Sequence, residues 1–389
     1  MKKKLSIIGR GTAGSQAIIY FLHYCPDWEI SWHFDPEIMP QSVGEGSTLS
    51  LPKNLFTCLD FNYQDLDLID STFKSGIYKS GWGNNQKDFL HQFPPPQVSL
   101  HFNAVALQNY IFEKVKDKVT IVTGNVDSNN IDSDFIMDCS GKPNNYDKFV
   151  KASHIPVNAA YITQCYWEYP RFQHTLTVAR PYGWVFGIPL KNRCSIGYLY
   201  NKNINCEEDI KLDVQNIFNE YNLIPSKNTN SLKFENYYRR QNFEERIVYN
   251  GNASFFLEPL EATSIEFMNT IFRYSFDLWN NYIDLQTANT AYKKIITEIE
   301  TVIMMHYFAG SIYDSEFWQY AQELGKDRIQ NAIKYDHDFY VMLSKAMSHR
   351  NANMHPFDGD YGTWWTGAFS QNIYGLGIEN LLSQIIKDI

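Results

Sequence analysis

The feature that most constrains this chain is a glycine-rich turn close to its beginning, Gly9-Arg10-Gly11-Thr12-Ala13-Gly14. The segment from Lys4 to Ile8, which is apolar at three of its five positions, precedes it and is typical of a short buried strand. An apolar helix is predicted from about Ser15 to Tyr24, and a second strand from Glu29 to Phe34. A strand, a glycine turn, a helix and a strand in this order predict a β-α-β unit that begins a parallel sheet.

The G-x-G-x-x-G spacing has a physical explanation in dinucleotide-binding turns. The first glycine permits the tight turn, the second lets the backbone approach a pyrophosphate, and the third lets helix and strand pack closely. Thr12 and Ala13 lie in the turn just before the predicted helix, whose N-terminus supplies free N–H groups and a positive dipole that favour an anion. Asp35, 21 residues beyond Gly14, is placed where an acid accepts the ribose hydroxyl. The turn therefore predicts a dinucleotide site.

The remaining pattern predicts an α/β fold with a Rossmann-like domain. Strands at Val119 to Val122 and Phe135 to Met137 are expected to return to the first sheet, and residues 158–250 form an interleaved, β-rich segment. Helical patterns follow from Ile265 onward, including separate helices at Ser315 to Leu324 and Arg328 to Lys334. We expect a core of residues 1–280 and a helical C-terminal region of residues 281–389 over the substrate side.

Composition excludes several classes of protein. The net charge of −9 and the pI of about 5.6 give no electrostatic support for nucleic-acid binding. No uninterrupted apolar stretch is long enough to cross a membrane, so no membrane association is expected. The six cysteines form no C-x-x-C pair, which indicates neither a metal site nor a disulfide framework and favours a cytoplasmic protein.

A second signature narrows the choice of dinucleotide. The segment from Asp134 to Gly141 resembles the strand and turn that close the FAD site of glutathione-reductase-type flavoproteins, with Asp138 and Gly141 at the cofactor positions. By the same resemblance, Val126 meets the adenine region. FAD is therefore favoured over NAD.

Two further segments resemble motifs of the flavin-dependent halogenases of the tryptophan-halogenase type. Val43-Gly44-Glu45-Gly46-Ser47-Thr48 is similar to that family's V-G-E-A-T turn, in which Gly44 and Glu45 would contact the flavin. Thr72-Phe73-Lys74-Ser75-Gly76-Ile77, with Trp82, resembles the T-F-K-x-G-I-x-F-x-x-W segment that carries the family's catalytic lysine. Lys79 replaces the second Phe of that motif. The resemblance makes Lys74 the candidate catalytic lysine.

Two later segments complete the resemblance. Gly183 to Leu190 is similar to the family's G-W-x-W-x-I-P motif, thought to shield the flavin, and its matching residues are Trp184, Phe186, Ile188 and Pro189. Phe256 to Ile265 resembles F-x-D-P-L-E-S-T-G-I, in which Glu261 would be the catalytic glutamate. Backbone N–H groups of Thr263 and Ser264 would bind halide there, because a helix N-terminus is a suitable site for an anion.

The resemblance implies a complete reaction. A separate flavin reductase supplies reduced FAD (FADH2), and oxygen with chloride, bromide or iodide then gives hypohalous acid. Lys74 relays the halogen to an electron-rich indole- or phenol-like small molecule, while Glu261 stabilises the positive ring. Apart from the resemblance, Trp364 and Trp365 are candidates for one wall of the substrate cavity, and packing in a core would explain them equally well. Richness in Asn, Lys and Ile, together with the length of the chain, indicates a short bacteriophage-encoded member.

Other interpretations stay open at this stage. An FAD-dependent aromatic monooxygenase shares the fold and inserts oxygen instead, although no second nucleotide motif for NADPH is evident. A non-catalytic FAD-binding protein would explain the altered positions Phe186, Ala262 and Ser264. A homo-oligomer is equally open, because no interface stripe stands out in the sequence.

Overall fold

The structure is a computed structural model that describes residues 2–38, 44–83, 87–124, 126–348 and 360–388. Its strands are β1 (Lys4–Ile8), β2 (Glu29–Phe34), β3 (Thr72–Lys74), β4 (Gly76–Ser80), β5 (Phe89–Gln92), β6 (Ser99–His101), β7 (Thr120–Thr123), β8 (Phe135–Asp138), β9 (Phe149–Lys151), β10 (Ala159–Tyr166), β11 (Thr175–Arg180), β12 (Gly183–Pro189), β13 (Arg193–Tyr200), β14 (Ile224–Lys233), β15 (Tyr237–Arg239), β16 (Ile247–Tyr249), β17 (Phe255–Phe256), β18 (Asp360–Tyr361) and β19 (Trp364–Trp365). Its α-helices are α1 (Thr12–Tyr24), α2 (Ser50–Leu59), α3 (Ala104–Val115), α4 (Glu207–Glu220), α5 (Thr263–Trp279), α6 (Leu285–Ala309), α7 (Glu316–Tyr335), α8 (His337–Ser348), α9 (Thr366–Gly375) and α10 (Glu379–Asp388).

The chain forms two compact units, each built from three separate segments. The first unit contains Met1–Thr72, Ser99–Lys151 and Tyr237–Lys294. The second unit contains Phe73–Val98, Ala152–Asn236 and Ile295–Ile389. The sequence predicts a core of residues 1–280 followed by a helical region of residues 281–389. This division along the chain stays a prediction.

A five-stranded parallel sheet is the centre of the first unit, with the order β16-β8-β1-β2-β7. This confirms that β7 and β8 return to the sheet begun by β1 and β2. The edge strand β16 arrives from a distant segment of the chain and pairs with β8 through Tyr249 and Asp138. Because parallel strands end at one edge, the turns after β1, β2 and β8 lie together there.

The helix α1 is covered along most of its length, since every residue from Ala13 to Phe21 is buried. A helix that is apolar on all sides is typical of a protein interior. On one face, the ring of Phe21 packs against Phe272 and Trp279 of α5, at centroid distances of 6.4 and 5.4 Å. The glycine turn therefore opens a helix that is held between other elements of the first unit.

A seven-stranded sheet dominates the second unit, with the order β14-β10-β13-β12-β11-β4-β5. Most neighbours are antiparallel, while β4 and β11 run parallel. Helix α4 packs against this sheet and buries a core drawn from both. The buried core residues are Ala159, Tyr161, Cys165, Trp167, Leu176, Val178, Val185, Cys194, Ile196, Tyr198, Tyr200, Ile210, Val214, Ile217, Phe218 and Leu223. The β-rich middle segment predicted from the sequence is thus confirmed.

The sequence predicted two helices where the structure has one. Residues 315–324 and 328–334 belong to the continuous helix α7, which passes through Gly325. A Cβ atom at Gly325 would lie 2.3 Å from the backbone nitrogen of Phe308 in α6. The glycine therefore permits close contact between two helices and does not end one. Among the described residues, none of the helices is both long and apolar enough to span a bilayer.

Candidate active site

The glycine turn packs so tightly that two of its glycines tolerate no side chain. Gly9 has a φ of +97°, and a Cβ atom there would lie 2.3 Å from the carbonyl oxygen of Cys139. A Cβ atom at Gly14 would lie 2.0 Å from the carbonyl oxygen of Gly9. Burial raises the pKa of the Cys139 thiol, which therefore stays neutral beneath the turn. These contacts bring the turns after β1 and β8 together.

Other glycines of the predicted cofactor site face open space instead. A Cβ atom at Gly11, Gly44 or Gly141 would meet no heavy atom within 4 Å. Gly11 precedes the first turn of α1, where no side chain caps the backbone N–H groups. Bare backbone beside an uncapped helix N-terminus suits a phosphate-bearing ligand. The residues present therefore fit a dinucleotide such as FAD.

The three acidic candidates of the cofactor site have different surroundings. Asp35 is half-buried just after β2, and its Oδ1 accepts a hydrogen bond from the Glu37 backbone N–H. Asp138 ends β8, and its Oδ1 accepts from the Ser140 N–H at 2.9 Å. Glu45 is buried, and its Oε1 accepts from the Ala104 N–H at the start of α3. Of the motif containing Glu45, Val43 lies outside the described residues.

The remaining cofactor candidates line the same unit. The hydroxyl of Thr12 accepts a hydrogen bond from the Gln108 side chain of α3 at 3.3 Å. Ala13 is buried beside Gly251, where a Cβ atom would lie 2.7 Å from the Ala13 methyl group. Val126 is half-buried against an apolar cluster of the first unit. The first unit thus brings the glycine turn, the three acids and Val126 into one body.

Lys74 ends the short strand β3 and is fully buried in the second unit. Its Nζ lies 5.6 Å from the centroid of the Phe93 ring, within reach of a cation–π interaction. The next residue, Ser75, forms a hydrogen bond of 3.0 Å with Nδ1 of His174. Burial lowers the pKa of His174, so its ring favours the neutral form. A lysine with this burial is not an ordinary solvated surface lysine.

Sequence reasoning named Trp364 and Trp365 as a cavity wall but missed Phe93 and His91, the rings that they contact near Lys74. Phe93 contacts His91 and Trp365 at centroid distances of 6.3 and 6.4 Å, and His91 contacts Trp364 at 5.3 Å. We call Phe93, His91, Trp364 and Trp365 the aromatic wall. Trp365 is half-buried, whereas Trp364 is buried. The sequence did contain a signal for His91 and Phe93. Residues 89, 91 and 93 alternate in and just after β5, so they share one face of that strand.

The predicted halide segment has an unusual backbone in the first unit. Glu261 and Ala262 have φ values of 69° and 55°, which are left-handed conformations that non-glycine residues rarely adopt. Glu261 and Thr263 are buried, and Ser264 is half-buried. Helix α5 begins at Thr263 without a side-chain cap. Strained residues before an uncapped helix N-terminus are typical of functional loops.

The segment predicted to shield the flavin is strand β12 of the second unit. Trp184 is fully buried, and its indole N–H donates to the hydroxyl of Tyr307 at 3.0 Å. The ring of Phe186 covers Gly197 on the neighbouring strand, where a Cβ atom would lie 2.2 Å from that ring. Ile188 and Pro189 are also buried. Trp184, Phe186 and Ile188 share one face, opposite to Val185 of the core beneath α4.

The parts of the chain that the structure describes contain no recognisable cluster of metal ligands. There, His, Cys, Asp and Glu side chains form no group of three that could hold a metal ion. The candidate groups described above are the glycine turn with its acids in the first unit and a buried lysine with its aromatic wall in the second.

Similar proteins identify the class that this fold and these residues define. The family model for tryptophan halogenases matches residues 4–125 and 107–351. Tryptophan 7-halogenase RebH of Lentzea aerocolonigenes is 23% identical over 323 residues, which are 75% of this chain and 57% of that protein. Xcc4156, a flavin-dependent halogenase from Xanthomonas campestris, has a similar fold, with a TM-score of 0.77 and 18% identity over 100% of this chain and 94% of that one. A tryptophan halogenase from Shewanella frigidimarina also has a TM-score of 0.77, with 16% identity over 100% of this chain and 93% of that one.

The chain therefore has the fold of the flavin-dependent halogenases. The chain belongs to the tryptophan halogenase family, as its motifs predicted. It spans little more than half the length of the curated relative RebH.

Proposed function

We propose that the chain is an FAD-dependent halogenase acting on an electron-rich aromatic small molecule, such as an indole or a phenol. The observation that carries this proposal is the complete burial of Lys74 beside the Phe93 ring. Burying an ammonium group is costly, so a fully buried lysine within a family motif is a candidate for chemistry. The family supports the reaction class, and the roles of individual residues are our inference.

The first unit would hold FAD through its bare backbone. Gly11, Thr12 and Ala13 present the N-terminus of α1 to a pyrophosphate, and Gly44 and Gly141 leave room for close approach. Asp35 is placed to accept a ribose hydroxyl, while Asp138 holds the turn that carries Gly141. Reduced FAD would supply the electrons with which oxygen converts halide into hypohalous acid. A separate flavin reductase is the partner that this chemistry requires.

Halide would bind at the start of α5. The N–H groups of Thr263 and Ser264 are at an uncapped helix N-terminus, where a negative charge is favoured. The left-handed Glu261 and Ala262 turn the backbone immediately before them. Successive N–H groups in such a turn form a concave surface that suits an anion.

Lys74 would hold the halogenating species. As an ammonium it donates a hydrogen bond to hypohalous acid, and as a free amine it forms a haloamine and releases water. Transfer to the substrate ring forms a carbon–halogen bond and leaves the ring positively charged until a proton departs. The buried carboxylate of Glu261 would stabilise that charge and accept the proton.

The aromatic wall would bind the substrate ring. Flat rings stack or meet edge to face at centroid distances between about 4.5 and 7 Å, and the rings near Lys74 already pack in this way. Trp365 is the half-buried member and therefore the one with an accessible face. An electron-rich ring held there would be close to the lysine that carries the halogen.

The test is mass spectrometry of reactions that contain FAD, a reductase with NADH, oxygen and a panel of indoles and phenols. Chloride, bromide and iodide are supplied separately. Lys74→Ala is compared with the wild type and with Lys326→Ala, a control at an exposed lysine of α7. We expect a halogen mass shift in the wild type and the control, and none in Lys74→Ala, which should still bind FAD.

The other outcomes separate the alternatives. A mass shift of one oxygen atom would identify an aromatic monooxygenase. Equal halogenation by Lys74→Ala would mean that free hypohalous acid reacts and that Lys74 is not the relay. Tight FAD binding without product for any halide or substrate would support a non-catalytic FAD-binding protein.

A further inference from the structure

A second buried lysine lies on β4, five positions after Lys74. Lys79 is fully buried, and its Nζ donates to Nε2 of His306 at 2.5 Å and to Oδ1 of Asn372. The same nitrogen lies 5.5 Å from the Phe89 ring centroid and 5.7 Å from that of Trp364. We call His306, Asn372, Phe89 and Trp364 the ammonium cage.

Both acceptors of the ammonium cage are oriented by their own helices. Nδ1 of His306 lies 3.0 Å from the carbonyl oxygen of Val302 in α6 and must donate there, so Nε2 presents its lone pair to Lys79. The amide nitrogen of Asn372 donates to the carbonyl oxygen of Ala368 in α9, so Oδ1 faces Lys79. Two preoriented acceptors and two ring faces form a receptor for a cation.

The ammonium cage is continuous with the surroundings of Lys74. Lys79 lies opposite Phe89 in the β4–β5 ladder, and the Phe93 N–H donates to the Ser75 carbonyl oxygen at the other end of the same pair. Trp364 belongs both to the ammonium cage and to the aromatic wall. Trp364 and Trp365 immediately precede α9, so a shift of β4 relative to α9 would move Lys74 relative to these two rings of the wall.

We propose that Lys79 is a positioning residue whose cation, bound in the ammonium cage, fixes β4 against α6 and α9 and so sets the distance between Lys74 and the two tryptophans of the aromatic wall. This inference rests on the proposed function for its effect on catalysis. The binding of a cation by the ammonium cage can be tested without any catalysis.

An apolar side chain at this position would leave two buried acceptors without their shared donor. Unsatisfied buried polar groups are costly, and the helices would move to regain hydrogen bonds. Halogen transfer depends on the placement of the reacting atoms, so we expect about a 10- to 100-fold loss of product formation in Lys79→Met.

The first test is chemical rescue of Lys79→Ala, which removes the three carbons and the nitrogen of n-propylammonium. Thermal unfolding of the variant is measured with n-propylammonium or with neutral 1-propanol at equal concentration. We expect the amine alone to raise the melting temperature by mass action. The wild type, with its cage filled, should not respond. Equal effects of the amine and the alcohol, or no effect of either, would refute the binding of a cation by the ammonium cage.

The second test measures coupling, which is the halogenated product formed relative to hypohalous acid trapped in solution. Lys79→Met is compared with Ile217→Ala, which destabilises the core beneath α4 in the same unit. We expect lower coupling in Lys79→Met only, with partial recovery in Lys79→Arg. Unchanged coupling in Lys79→Met would refute a positioning role. If the wild type makes no halogenated product, the proposed function fails. The rescue experiment still tests whether the ammonium cage binds a cation.

Discussion

His154 and Glu300 lie side by side in the second unit, and replacing either one should change how stability depends on pH. Nε2 of His154 and Oε1 of Glu300 are 3.6 Å apart, too far for a good hydrogen bond. Within the described residues neither atom has a hydrogen-bond partner. The Arg328 guanidinium lies 3.7 Å from the other oxygen of Glu300. Glu300 is therefore buried, and His154 half-buried, next to a positive charge.

The two groups have pKa shifts of opposite direction. Burial raises the pKa of Glu300 from 4.5 to about 7, against the charge of Arg328. Burial and the charge of Arg328 lower the pKa of His154 from 6.5 to about 4, against the charge of Asp327. Between about pH 4.5 and 6.5 the folded chain holds a proton on Glu300, and the unfolded chain holds one on His154. The wild-type pair thus binds equal numbers of protons in both states and adds little pH dependence.

In each single variant, the residue that remains should make stability depend on pH. In Glu300→Gln, His154 is neutral when folded and charged when unfolded, so stability falls as the pH drops from 6.5 toward 4. In His154→Asn, Glu300 is protonated when folded and ionised when unfolded, so stability falls as the pH rises from 4.5 to about 7. A displacement of this size corresponds to about 3 kcal/mol, and to less for His154, whose side chain is 30% exposed.

The assay is urea unfolding followed by tryptophan fluorescence, for the wild type and both variants, between about pH 5 and pH 8. The quantity compared is the difference in unfolding free energy between variant and wild type at each pH, which removes the titration of other groups. We expect differences with opposite slopes for the two variants. Parallel profiles, or equal slopes, would show that the pair does not exchange one proton between its members on folding.

The remaining predictions concern the first unit. Gly14→Ala should lower the free energy of unfolding by about 2–3 kcal/mol, because its methyl group would meet the Gly9 carbonyl oxygen, and urea unfolding measures this. Gly11→Ala is the matched variant, since it faces open space: we expect unchanged unfolding within about 0.5 kcal/mol and FAD affinity at least about tenfold lower by fluorescence titration. Equal effects of the two substitutions on unfolding would contradict these contacts. Ala262→Gly should stabilise the chain by about 1 kcal/mol, since glycine adopts a left-handed φ without penalty, and a lower urea midpoint would show that Ala262 is not strained.

Local pattern was sufficient to predict much of the first unit. The strand from Lys4 to Ile8 and the helix ending at Tyr24 follow from runs of apolar residues, and the structure places them at those positions. The glycine spacing predicted the turn, because only glycine permits the contacts at Gly9 and Gly14. These features are local, so a short window of sequence contains their physical cause.

Other features depend on residues that are distant in the chain. The break expected between Leu324 and Arg328 was wrong because the tolerance of a helix for a glycine such as Gly325 depends on what packs against it, here the backbone of α6. Strand β16 gave only a weak local signal, since its pairing with β8 is decided by tertiary contacts. Phe93 and His91 were missed as partners of Trp364 and Trp365 because the two pairs are far apart in the sequence.

By itself, the sequence determined the β-α-β beginning, the family and the identity of Lys74 and Glu261 as candidates. It did so because backbone conformation and motif spacing are properties of neighbouring residues. Only the tertiary structure decided that Lys74 is buried beside an aromatic wall and that Glu261 and Ala262 have left-handed conformations. It also decided that Lys79, an apparent departure from a motif, meets two oriented acceptors on α6 and α9. Burial, strain and hydrogen bonding of this kind arise only when distant segments pack together.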